Sequence, residues 1–240
     1  MTQFYGRLFG LGAGPGNPQW LTLQADRILK DAPVIALPRG VATGTGRSEK
    51  IVQAYFKPEK HVLRLVFPMT RDKEWLEQAW DDAAEQVLSY LTQGLDVAFV
   101  SEGDPSLYST FSYLAEAVLS KSPHVAVEIV PGISSVSAAS AQLGESLVMG
   151  EKSLAVVPGH DDLDRLTLAL NSCDTVVILK ISGNFHRIYD LLDSHHLLPY
   201  TVYLAQIGTS QQEIRTDWQA LKQEILPYMS LLVVRQELHR

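Results

Sequence analysis

Gly10-Leu11-Gly12-Ala13-Gly14-Pro15-Gly16-Asn17-Pro18 closes an apolar segment, Arg7–Leu11, and leads into an amphipathic one, Leu21–Ala32. Glycines clustered at such a junction bring backbone amides close to a ligand that side chains would keep away. The run is not the dinucleotide fingerprint G-x-G-x-x-G: its last position falls on Asn17 counted from Gly12, and on Pro15 counted from Gly10. No Gly-Lys-Ser/Thr follows, and Pro15 and Pro18 lack the N–H donors a phosphate would need. Taken alone, the segment also reads as a plain strand-to-helix turn.

The same alternation continues along the chain. Runs rich in Val, Ile, Leu and Phe predict further strands at Val34–Leu37, Val97–Val100, Val125–Val130, Ser153–Val157, Thr175–Ile181, Thr201–Ala205 and Leu231–Gln236. Between them, Glu74–Leu91 places Leu76, Ala79, Trp80, Ala83, Ala84, Val87, Leu88 and Leu91 near a 3.6-residue period. Strand–helix alternation predicts α/β layers with largely parallel strands. The polar cluster Ser120-Lys121-Ser122-Pro123 ends a helix at Phe111–Leu119, so two α/β domains are expected, residues 1–121 and 122–240.

Composition narrows the class. The 240 residues hold 20 Lys and Arg against 27 Asp and Glu, a net charge of −7, which repels a phosphate backbone and argues against nucleic acid as a partner. Apolar runs such as Val176–Leu179 fall far short of the ~18 residues that span a bilayer, and no secretory signal opens the chain. A cytoplasmic protein away from membranes is expected. The single Cys173 builds neither a disulfide nor a thiolate metal site. The histidines lack metal-ligand spacing and no G-x-S-x-G is present, so neither a metal centre nor a serine nucleophile is expected.

Two more loops follow predicted strands. In Ser101-Glu102-Gly103-Asp104-Pro105, two carboxylates flank a glycine at a strand tip, where parallel sheets bind ligands. Acidic groups there suit a hydroxyl-rich or cationic ligand better than a phosphate. Asp104 before Pro105 also reads as a helix N-cap. In Val130-Pro131-Gly132-Ile133-Ser134-Ser135, either serine reads as a cap for the small-residue helix that follows.

Together the three loops resemble the tetrapyrrole (corrin/porphyrin) methylase family. The resemblance rests on Gly12-Ala13-Gly14-Pro15-Gly16-Asn17-Pro18, then Gly103-Asp104-Pro105 with Tyr108, then Pro131-Gly132-Ile133-Ser134-Ser135, in order along nearly the whole chain. Asn17 stands where the family usually has Asp. Ser101–Pro105 running into Tyr108–Phe111, and Val66–Asp72, are similar to the branch that methylates precorrin-2, or cobalt-factor II, at C20. What the resemblance implies is a pair of α/β domains with the active site in the cleft between them, a homodimer, and S-adenosylmethionine as methyl donor. It implies a cofactor site of Pro15, Glu102, Gly103, Asp104, Leu107, Ser134, Ser135, Lys180 and Gly208. Lys180 also reads as a solvated strand end. No general base is assigned.

The tetrapyrrole substrate so implied carries eight carboxylates, which an acidic protein must meet with local cations. Arg39, Arg47, Lys50, Arg64, Arg71 and Lys73 gather in the N-terminal half, and Arg39, Arg47 and Lys50 are the favoured substrate contacts, in a loop with Gly40, Gly44 and Gly46. Each alone also reads as a surface charge. Methylation at another tetrapyrrole position, of diphthamide or ribosomal RNA, or a cofactor-binding module without activity are the competing functions.

Overall fold

The computed structural model describes residues 4–40, 46–159 and 163–236. It divides into two compact units, Met1–Ser134 and Ser135–Arg240. The first is built on five parallel strands, β1 (Leu8–Gly12), β2 (Val34–Arg39), β3 (His61–Val66), β4 (Val97–Ser101) and β5 (Val127–Val130), in the order β3-β2-β4-β1-β5. Four helices connect them: α1 (Leu23–Asp31), α2 (Arg47–Val52), α3 (Lys73–Leu91) and α4 (Phe111–Lys121).

Strand periodicity explains the layering. In β1, Leu8 faces one side with Val97, Phe99, the α3 residues Ala84 and Val87, and Phe111 of α4. Phe9 and Leu11 face the other, with Ala25 and Leu29 of α1 and Ile51 and Val52 of α2. Both faces are covered at the centre of the sheet, so β1 and β4 are buried along their whole length rather than alternating. Helix starts are locally encoded: Thr22 Oγ1 accepts from Ala25 N at 3.2 Å, and Asp72 Oδ1 from Trp75 N at 3.2 Å.

The strand order fixes where a ligand fits. From β1 the chain crosses over β4 to reach β2, whereas from β4 it crosses over β1 to reach β5. The loops leaving β1 and β4 therefore part in opposite directions, and the crevice left between them is the switch point of the sheet.

The second unit has α5 (Ser135–Leu143), β6 (Leu154–Pro158), α6 (Leu163–Ser172), β7 (Thr175–Leu179), α7 (Phe185–Ser194), β8 (Thr201–Ala205), β9 (Glu213–Arg215), α8 (Trp218–Leu221) and β10 (Ser230–Arg235). Its sheet order is β6-β7-β10-β8-β9. One face packs Val176, Ile178, Tyr203 and Leu232 against Leu166 and Leu170 of α6 and Ile188 and Leu192 of α7.

The two α/β units agree with expectation; three details differ. This second sheet is mixed, since β10 runs antiparallel to both β7 and β8, and β8 to β9. The 206–212 loop is too short for the crossover that a parallel partner needs. The division falls at Ser134/Ser135 rather than after residue 121, because β5 bonds along β1 and completes the first sheet. Two edge strands, β3 and β9, come from stretches not expected to be strands. Arg64 interrupts β3 and forms an ion pair with Glu49, and β9 is only three residues long.

Candidate functional site

At the switch point three backbone segments meet at distances that only glycine allows. A Cβ on Gly12 would lie 2.4 Å from Gly132 Cα and 2.8 Å from Gly103 O, and one on Gly132 would lie 2.4 Å from Gly103 O. Gly14 and Gly103 have φ of 75° and 68°, the left-handed region. They form an isolated bridge: Gly103 N donates to Gly14 O at 2.9 Å, and Gly14 N to Gly103 O at 3.2 Å. Ala13 N donates to Ser101 O at 2.9 Å. The first and second loops are thus stitched by main chain.

Asp104 fastens the third loop to them. Its Oδ2 accepts from Gly132 N at 2.8 Å, and its Oδ1 from Ser106 N at 2.7 Å and from the Ser106 hydroxyl. Burial alone would raise its carboxyl, but these hydrogen bonds outweigh it and hold the group below the ordinary value. Asp104 does not cap a helix: α4 begins at Phe111, after a turn in which Tyr108 adopts φ of 53°. Asn17, in contrast, does cap, its Oδ1 accepting from Gln19 N at 2.9 Å. Asparagine there supplies the one acceptor oxygen the turn uses.

Glu102 is the second carboxylate at the tip of β4. Burial pushes it up to about 7, opposed by the Arg47 guanidinium and by a hydrogen bond from the Ser48 N–H. The folded value lies above the ordinary glutamate value of 4.5, so ionisation weakens the fold as pH rises between the two. Melting curves for Glu102→Gln and wild type should therefore run closest near pH 4.5 and separate towards pH 8, the variant being relatively more stable there. Parallel curves would show that Glu102 titrates as an exposed carboxyl.

The remaining expected residues fall into local groups. Pro15 follows Gly14, and Leu107, 37% exposed, lies in the turn after Asp104. Ser134 ends the first unit and Ser135 opens α5. Lys180 and Gly208 follow β7 and β8, which run in the same direction on either side of β10, so both stand at one edge of the second sheet. The Lys180 backbone is left-handed at φ 56°, and Gln206 at φ 49°, a strained conformation for side chains of this kind. Gly208 N donates to Gln212 Oε1 at 2.8 Å, and Gln212 Nε2 to Gln142 Oε1 of α5 at 2.8 Å. Gln142, Gln206, Gln212 and Ser106 were not expected, and no local pattern announces them.

Of the expected substrate cations, Arg39 ends β2 with its Nε buried and without a hydrogen-bond partner among the described residues, Arg47 opens α2 beside Glu102, and Lys50 is exposed one turn further on. Gly44 of the same loop lies outside the described residues. Arg64 is held by Glu49. No described helix is long and apolar enough to cross a membrane.

Residues 7–220 match the family described as Tetrapyrrole (Corrin/Porphyrin) Methylases. The cobalamin biosynthesis protein CobIJ of Mycobacterium tuberculosis is 32% identical over 240 residues, covering 95% of this chain and 46% of that protein. The chain therefore spans about half the length of that curated relative. A Precorrin-2 C(20)-methyltransferase of Sinorhizobium sp is 32% identical over 238 residues, with 95% of each chain covered. A uroporphyrin-III C-methyl transferase from Thermus thermophilus, solved with S-adenyl homocysteine, is similar in fold at a TM-score of 0.69 and 23% identity, over 96% of this chain and 98% of that one. Three glycine-pinned loops at a switch point, in a sequence matched over most of its length, have one consistent assignment: the chain belongs to the tetrapyrrole (corrin/porphyrin) methylases.

Proposed function

We propose that this protein transfers the methyl group of S-adenosylmethionine to C20 of precorrin-2, or of its cobalt-loaded counterpart cobalt-factor II, in cobalamin biosynthesis. The observation that carries the reading is the meeting of the three loops at Gly12, Gly103 and Gly132, where a Cβ on Gly12 or Gly132 would run into the backbone of the neighbouring loops. The cradle fits this donor in its chemistry. It offers carboxylates and main chain, and S-adenosylmethionine has hydroxyls and a cationic sulfur but no phosphate. The full-length relationship to the Sinorhizobium C20-methyltransferase supports the position of methylation.

When bound, the cofactor supplies an electrophilic methyl whose sulfur leaves uncharged, so no acid is needed. The protein's task is alignment, an effect worth ~7–11 kcal/mol when fully realised. Asp104 holds the Gly132 loop against the Gly103 loop and keeps both main chains in place. Pro15 stiffens the first loop, and Leu107 offers the cofactor an apolar contact in this reading. Glu102 presents a carboxyl to the hydroxyls or the cation, its ionisation held back by burial and only partly favoured by Arg47. Ser134, Ser135, Lys180 and Gly208 complete the cofactor contacts in this reading. Arg39, Arg47 and Lys50 take substrate carboxylates. Within this reading the protein is a cytoplasmic homodimer, which sedimentation would test.

Calorimetry should give micromolar-range binding of S-adenosylmethionine or its demethylated product and none of NADH. Turnover of metal-free and cobalt-loaded substrate, with the methylated carbon located by NMR, identifies the reaction. In the same assay, Arg39→Gln with Lys50→Gln should raise KM for the tetrapyrrole on the order of tenfold or more, the worth of a lost charge-assisted contact, without changing cofactor affinity. Tight NADH binding, or a methyl on another carbon, would replace the assignment.

A further inference from the structure

We propose that a cavity at the far edge of the second sheet binds a small oxyanion, a carboxylate or phosphate group, on the side-on edge of Arg235. Arg235 ends β10 opposite Thr175, which starts β7. It therefore stands at the edge away from Lys180 and Gly208, and the site is independent of the proposed methyl transfer.

The cavity, about 180 Å³, is lined by Glu145, Lys152, Asp174, Thr175 and Arg235 among others. That is several times the ~30 Å³ share of one water, room for a small organic anion. The guanidinium is mostly enclosed, its side chain 12% exposed, and uses one nitrogen: Nη1 donates to Glu145. Nε and Nη2 are buried and have no hydrogen-bond partner among the described residues. Those two nitrogens form the planar edge whose parallel N–H groups match two oxygens of a carboxylate or phosphate. Arginine has no acceptor, so only an acceptor can meet it, and a buried cationic donor left unmet is costly.

Nearby groups are committed elsewhere. Asp174 Oδ2 accepts from Ser153 N and Ser153 Oγ, both at 2.8 Å, and Thr175 Oγ1 donates to Leu147 O at 2.6 Å. The Glu145 side chain is largely exposed and already faces Nη1. Lys152 adds a second cation to the wall, offsetting the carboxylates of Glu145 and Asp174.

The test titrates inorganic phosphate, and separately acetate, into the full chain at constant ionic strength set with sodium chloride. Melting temperature and the Arg235 Nε–H resonance are followed together. Either anion should raise Tm saturably, by roughly 5 °C at a hundredfold excess over its dissociation constant, and shift that resonance along the same isotherm. The anion that acts at lower concentration distinguishes phosphate from carboxylate. Arg235→Lys keeps the charge and removes the fork, and should weaken binding at least tenfold. No saturable response to either anion, or an equal response in Arg235→Lys, overturns the site. The resonance is read in the wild type, so the outcome stands even where the variant does not fold.

Discussion

Gly132→Ala should abolish measurable binding of S-adenosylmethionine, with affinity at least a hundredfold weaker, and lower the melting temperature by several degrees. The added Cβ would sit 2.4 Å from Gly103 O and 2.6 Å from Gly12 Cα, and both are backbone atoms that no side-chain rotation can move. Relief requires the third loop to retreat, which stretches the Asp104–Gly132 hydrogen bond of 2.8 Å and opens the cradle. Overpacking of this kind costs ~1–3 kcal/mol, and in a chain of this size each kcal/mol is worth about 2–4 °C. Gly183→Ala is the matched control: a Cβ there meets nothing within 4 Å, and it should leave both quantities unchanged. Calorimetry and thermal melts on the two variants suffice. Wild-type affinity in Gly132→Ala would mean that the loops do not form the cofactor site.

Asp104→Ala should be the most damaging single side-chain change on these loops, weakening cofactor affinity about ten- to hundredfold while the protein still folds. It removes a side chain that joins the second loop to the third, together with both bonds to Ser106. Hydrogen bonds to a charged acceptor are worth ~1.5–3 kcal/mol each, and ~1.4 kcal/mol is tenfold in affinity. Asp104→Asn should fall between the two, since its amide keeps one acceptor oxygen but sets an NH₂ against a backbone donor. Circular dichroism with calorimetry separates the possibilities. A folded Asp104→Ala protein with unchanged affinity would reduce the residue to local turn chemistry.

Much of this molecule could be read residue by residue. Apolar runs bounded by Gly and Pro located eight of the ten strands, because strand and turn preferences act over a few neighbours. The glycine loops could likewise be seen to follow strands, and the ordered set of three carried the family resemblance. β3 and β9 were hidden for the same local reason: one carries Arg64 within its run, the other is too short to show a period.

What no local pattern announces is which distant atoms meet. Asp104 before Pro105 has the look of a helix cap, yet its partner is the Gly132 amide, 28 residues away. The two are neighbours because β4 and β5 both flank β1, and that order comes from packing apolar surface on two faces of one sheet. The same holds for the arginines. Arg39, Arg47 and Arg64 are alike in sequence, but Glu102 stands beside Arg47, Glu49 holds Arg64, and the Arg39 Nε is buried without a bond among the described residues. Residue type sets what a group can do. Its charge state and its partner depend on burial and distance, and those exist only once the sheets have formed.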